Sequence, residues 1–350
     1  MPPLFYLKLI SYNRSMNTDK NPSGFFPVLA ALSGNFFITF LKFAGFLISG
    51  SGAMFSESIH SLADSLNQTL IMIGIKRSTH KATEEFSYGY GQERFFWALI
   101  SACGTFFIGA GVTIYHGLIS LIKGESIEIS SLIFLILGLS LIIETVTFAL
   151  ALREIKADNP EKKILEAIRE GDPSVVAIVY EDGVAVLGVL VAFLSIVSTQ
   201  LTGNHYWDSL GSIVIGILLG IVAIILINKN RGFLLQKSMP EEVRERAVEF
   251  LETNPMIEKV IDFKSTVLDI GKYRIKCEVE FNGPAMIKEI YPEGALKKEY
   301  AGIKTYDDFL YFCVDTIDRT PRVIGKQIDE IEKKLQGEIP EIKHIDIEIN

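Results

Sequence analysis

The sequence predicts an α-helical membrane protein with six transmembrane helices, followed by a small α+β ferredoxin-like cytosolic domain. Three observations carry this reading. Hydrophobic residues make up 49% of the 350 residues, and the mean hydropathy is +0.30, which implies several apolar stretches of spanning length. Stretches near the ~20 residues that a helix needs to cross lipid recur before residue 232. Beyond that point the pattern changes to the alternation and short amphipathic helices of a water-soluble fold. The formal charge is −8, with an acidic excess in the tail, which argues against nucleic acid as a partner. The cysteines, Cys103, Cys277 and Cys313, stand far apart with no Cys-x-x-Cys pair, so neither a disulfide framework nor a thiolate zinc cluster is indicated.

In chain order, residues 1–24 hold a short apolar piece interrupted by Lys8 and no small-residue cleavage site; they read as a cytosolic leader. Six spans follow, at 27–50, 53–75, 95–121, 129–152, 175–199 and 210–227. The joints after the second and fourth are rich in Lys and Arg (Lys76, Arg77, Lys81; Arg153, Lys156, Lys162, Lys163, Arg169), as is the exit at Lys229 and Arg231. Residues 50–52 and 198–206 carry neither. The positive-inside rule then puts the basic joints, and both termini, in the cytosol.

After Arg231 the text is that of a soluble domain, residues 232–350. Ser238 and Glu241 are spaced to cap a helix over 241–251 reciprocally. Strands are expected at 260–268 and 272–281, turning at Gly271; the second alternates Tyr273, Ile275, Cys277, Val279 and Phe281 against charged residues. Residues 282–305, with Pro284, Pro292 and Gly294, read as an insertion. A helix over 322–335 and a strand over 342–349 complete a helix-strand-strand-helix-strand order, which fits a ferredoxin-like unit.

The chemistry lies in ionisable residues inside predicted spans, where each costs at least about 2.5 kcal/mol near the membrane centre and marks an ion or proton pathway. The second span carries Glu57, His60 and Asp64. His60 and Asp64, four apart, stack on one helical face and can grip one cation with an imidazole nitrogen and a carboxylate oxygen. The fifth span carries Glu181 and Asp182, about 100° apart around the helix. Two carboxylates and a neutral imidazole suit zinc, and also manganese, iron(II), cobalt or cadmium. Polar residues such as Asn35, Ser58 and Asn67 read as helix–helix hydrogen bonders. Lys42 and Glu144 either pair across the bundle or relay protons. His80, His116 and His205 read as solvated or interfacial. His344 and Asp346 share one face of the last strand, either as a wet surface or as part of a cytosolic metal site.

These residues sit in runs that resemble the cation diffusion facilitator family, metal/proton antiporters of the zinc-transporter type. The runs are Ser56-Glu-Ser-Ile-His60-Ser-Leu-Ala-Asp64-Ser-Leu-Asn-Gln68, Tyr88-Gly-Tyr-Gly-Gln-Glu-Arg94, Glu181-Asp-Gly-Val-Ala-Val-Leu-Gly188 and Tyr206-Trp-Asp-Ser-Leu-Gly211. The resemblance implies a transport site of two residues from span two and two from span five, each pair four apart: His60 and Asp64, then Asp182. Ile178 stands where many members have His. The adjacent acids are similar to the zinc transporter nine branch, in which Glu181, a water or another helix fills the vacant place. The resemblance also implies a homodimer joined through the cytosolic domains and, for a prokaryotic chain, residence in the cell membrane.

Metal binds histidine only in its neutral form, so metal and proton compete for His60, whose reference pKa is about 6.5. Helix rocking would expose the site to each face in turn. There is no Gly-x-x-x-x-Gly-Lys-[Ser/Thr] phosphate loop to supply another energy source. The expectation is proton-coupled efflux of a divalent metal, Zn2+ first, with the metal as cargo and no cofactor or enzymatic activity. A metal-sensing membrane scaffold that does not transport is the alternative.

Overall fold

The computed structural model describes residues 25–124, 130–158, 164 and 173–350, with side chains at 36–124, 130–153, 155–156, 164 and 179–350. The predicted leader, the Asn35 and Ile178 side chains, and the basic residues Lys162, Lys163 and Arg169 lie outside these. Two compact units result: one made of the chain up to Thr79 with Glu93–Arg231, the other of His80–Gln92 with Gly232–Asn350.

The first unit is helical: α1 (Phe25–Ser49), α2 (Gly52–Ser78), α3 (Glu93–Lys123), α4 (Ser131–Asp158), α5 (Pro173–Thr202) and α6 (Tyr206–Leu234). In α3, α4, α5 and α6 the stretches Glu93–Lys123, Ser131–Arg153, Val179–Thr202 and Tyr206–Leu234 are long and apolar enough to cross a membrane. α2 has the length, but its serines and Glu57, His60 and Asp64 dilute its apolar character. The described apolar stretch of α1, Phe36–Ser49, is short. The unit turns large apolar side chains outward, Phe40, Leu47, Phe107, Ile122, Leu194 and Leu201 among them, around a core of Ala53, Met54, Ile133, Leu137, Val189, Ala192 and Ile196. That is the arrangement for a lipid solvent, where helices associate by close packing of small residues and by interhelical hydrogen bonds. At Gly117 of α3 the Ser209 carbonyl and Ile213 of α6 come so close that a Cβ would sit 3.1 and 2.7 Å from them. A π-helical turn, Thr105–Ala110, interrupts α3.

α1 and α2 meet at a tight turn, Gly50 taking a φ of 67°. The first amides of α2 have no helical partner. Asp208 of α6 takes them: its Oδ2 accepts from the Gly52 N–H at 2.5 Å, its Oδ1 from the Ser51 hydroxyl at 2.5 Å, and both lie within 3.4 Å of the Ala53 nitrogen. The Ser51 hydroxyl oxygen in turn accepts from the Met54 N–H.

The second unit runs α7 (Glu241–Glu252), β1 (Ile257–Asp269), β2 (Lys272–Phe281), α8 (Gly283–Ile290), α9 (Ala295–Gly302), α10 (Tyr306–Glu338) and β3 (Ile342–Ile349). The sheet order is β1-β2-β3, with β1 antiparallel and β3 parallel to β2. The turn between β1 and β2 uses Gly271 at a φ of 65°. The alternation on β2 puts Ile275, Cys277 and Val279 into a core with Leu251, Ile331, Leu335 and Ile347. Two local expectations are corrected. No reciprocal cap forms at Ser238 and Glu241: Pro240 is the N-cap residue, without a side-chain bond, and Glu241 instead pairs with Arg244 at 2.8 Å. The last long helix starts not near Arg322 but at Tyr306, with Thr305 and Asp308 capping each other reciprocally. Pro321 lies inside this helix, although a proline lacks an N–H and crowds the preceding turn. The helix runs through it, and the carbonyl left without a donor belongs to Ile317, an exposed residue where water can take the bond.

Candidate metal site in the helical unit

The backbone of α2 presents Glu57, His60, Asp64 and Asn67 at three- and four-residue spacing, one stripe along the helix. The serines between them bond back to their own helix, Ser58 to the Met54 carbonyl at 2.7 Å and Ser65 to that of Ser61 at 2.9 Å, so they add little unsatisfied polarity. His60 is buried, with Nε2 3.5 Å from Asp64 Oδ2 and Nδ1 4.0 Å from Glu57 Oε1.

A cavity of about 70 Å³ opens beside this stripe, walled by Asp64 and Gln68 of α2, Glu144 and Thr147 of α4, and Glu181 and Asp182 of α5. Three of the predicted ligands, Asp64, Glu181 and Asp182, therefore share one cavity, and His60 lies behind Asp64. They surround a space and do not meet at a point: among the described residues no three of His, Cys, Asp and Glu stand close enough to chelate one ion. Asp64 is partly open, with 38% of its side-chain surface exposed. Among the described residues, Asp182 Oδ2 is buried without a hydrogen-bond partner, as are Glu57 Oε1 and Glu144 Oε2.

Glu181 Oε1 accepts from the Asn67 amide at 2.7 Å, and Asn67 Oδ1 accepts from the Ser101 hydroxyl of α3 at 2.6 Å. Asn67 is the interhelical hydrogen bonder expected of it, and it also fixes one of the site's acids. Lys42 pairs with Glu144 at 2.7 Å, as the pairing alternative had it, and with Glu57 at 2.8 Å as well. Sequence reading missed this second bond. The signal was present in three ionisable residues of opposite sign on three spans, but spacing along one helix says nothing of which helices adjoin. His116, expected to be solvated or interfacial, is half-buried and stacks on Phe55, with centroids 4.2 Å apart.

The second unit offers no rival. Arg274 donates to Asp346 Oδ2 at 2.6 and 3.0 Å and lies over the Tyr88 ring at 4.3 Å, while His344 meets the same ring edge-on. Burial pushes the Cys277 thiol up to about 12, so it stays protonated, and a protonated thiol is a poor metal ligand.

Residues 28–235 match the family described as "Cation efflux transmembrane domain". The chain is 35% identical over 328 residues to the "Proton-coupled zinc antiporter SLC30A9, mitochondrial" of Mus musculus and to that of Homo sapiens, covering 92% of this chain and 58% of each relative. It is also 35% identical over 331 residues to "Metal tolerance protein C4" of Arabidopsis thaliana, covering 92% of this chain and 72% of that one. The chain thus spans little more than half the length of the mammalian relatives.

Proposed function

The chain belongs to the cation efflux family, and we propose that it is a multi-pass membrane transporter that exchanges a divalent transition metal, Zn2+ first, for protons. The observation that carries this is the cavity at which α2 and α5 bring Asp64, Glu181 and Asp182 together, with His60 behind Asp64. Carboxylates in such a place need a cation. The names of the relatives, a proton-coupled zinc antiporter and a metal tolerance protein, support zinc as cargo and the proton as counter-ion.

In this reading all six helices of residues 25–231 span the membrane, residues 1–24 and both termini lie in the cytosol, and residues 232–350 form a ferredoxin-like cytosolic domain through which two copies pair. The basic joints support the orientation, and a three-stranded sheet with one antiparallel and one parallel neighbour supports the domain type. His60, Asp64 and Asp182 bind the cargo. Glu181 supplies the remaining contact in place of Ile178, and its bond to Asn67 holds it at the cavity. Protons compete with metal for His60 and are exchanged as the helices expose the cavity to each side in turn.

The test is zinc, manganese, iron(II), cobalt and cadmium uptake into sealed proteoliposomes with and without an imposed pH gradient. Gradient-dependent zinc flux is expected. Metal binding without flux under any gradient would leave a metal sensor instead.

A further inference from the structure

Two features of the helical unit are not used by a site of His60, Asp64, Glu181 and Asp182. One is the ion chain formed by Glu57, Lys42 and Glu144, and the other is the close approach of Gly188 to it. Lys42 and Glu57 have no exposed side-chain surface, and their contact is 2.8 Å. A buried ion pair of this kind contributes little net stability, because desolvation offsets its attraction, while losing one partner is costly. The pair is oriented: Glu57 gives Oε2 to Lys42, and its Oε1, buried and without a hydrogen-bond partner among the described residues, stands 4.0 Å from His60 Nδ1. That is about 1 Å longer than a hydrogen bond, a gap closed by a small rotation of either side chain. A Cβ on Gly188 of α5 would lie 2.6 Å from this same oxygen and 3.6 Å from His60 Nδ1. The glycine leaves Glu57 the space it occupies beside the imidazole.

A metal-bound histidine gives its metal one ring nitrogen and donates the other N–H to a carboxylate or carbonyl, which fixes tautomer and ring orientation. His60 already points Nε2 towards Asp64 and Nδ1 towards Glu57. We propose that Glu57, anchored by Lys42, is a positioning residue that takes the Nδ1–H of His60 and so commits Nε2 to the cargo ion. Lys42 holds Glu57 from α1 and, through Glu144, ties the arrangement to the cavity wall on α4. The inference rests on His60 being a zinc ligand, as proposed above.

The experiment is a double-mutant cycle on zinc affinity, measured by calorimetric titration of the full chain in detergent, for wild type, Glu57→Gln, His60→Asn and the double variant. Glu57→Gln is expected to weaken zinc binding about 10- to 100-fold in wild type and by less than about 2-fold once His60 is gone, because contacting residues that act together are non-additive. Equal losses in both backgrounds, or no loss in either, would overturn the positioning role while leaving the site reading intact. An unchanged affinity in His60→Asn would overturn the site reading itself, and the positioning role with it. A second measurement needs no folded Glu57 variant: nitrogen NMR of zinc-loaded wild type with 15N-histidine. Zinc on Nε2 of His60 with the proton on Nδ1 is expected, and zinc on Nδ1 would overturn the proposal.

Discussion

α2 meets a buried acid at each of two places, and the two are compensated very differently. At its start, Asp208 spends both oxygens on the Ser51 hydroxyl and the Gly52 and Ala53 amides, at the end of the helix where the macrodipole favours negative charge. Further along, Asp182 Oδ2, Glu144 Oε2 and Glu57 Oε1 are buried with no hydrogen-bond partner among the described residues. An unmet buried oxygen costs about 1–3 kcal/mol; on the reading proposed above, the first place stabilises the fold and the second receives the cargo ion. Residue type does not separate them; completeness of compensation does.

The sharpest way to break the comparison is to remove an acid at each place. Asp64→Ala or Asp182→Ala should lower proton-driven zinc flux about 100-fold or more, the ~3 kcal/mol of a lost buried charge contact. Thermal unfolding of either variant in detergent should stay at the wild-type temperature or above it. Asp208→Ala should do the reverse to stability, destabilising by about 1–3 kcal/mol for each stranded donor, while the protein that remains folded binds zinc as wild type does. If Asp208→Ala unfolded no more readily than Asp182→Ala, the distinction would be wrong.

Smaller effects sharpen it. Glu181→Gln should weaken zinc binding almost as much as Asp182→Asn if Glu181 touches the ion, and by about 10- to 100-fold if it only supports the site. His60→Asp replaces the borderline donor with a hard one, so competition assays should show uptake broadening towards manganese, iron(II) and cadmium. Gly188→Ala forces the Glu57 carboxylate aside, a strain of about 0.5–1.5 kcal/mol. Zinc affinity should fall between about 2- and 10-fold, with little change in unfolding temperature.

Much of this was legible in the sequence. Apolar runs placed helices along the first unit, four of them long and apolar enough to cross a membrane, and the alternation on 272–281 gave β2 its buried face. His60 and Asp64 were legible as a pair because four residues is a helical turn. What the text hid depends on neighbours. Glu57 read as one more charge on a span until Lys42 of α1 was seen against it. Asp208 lay in a quoted motif without a role, since its partners are amides 155 and 156 residues away. The early start of α10 was not read, since its reciprocal Thr305–Asp308 cap begins at the end of the stretch taken as an insertion.

The most direct test of the cavity acids Asp64 and Asp182 as the cation site is zinc titration of the full chain with simultaneous measurement of proton release, for wild type, Asp64→Asn, Asp182→Asn and a form lacking residues 233–350. The account predicts high-affinity zinc binding with proton release that survives loss of the tail and vanishes in both aspartate variants. High-affinity binding that survives in the aspartate variants but disappears with the tail would contradict it and move the site out of the helical unit.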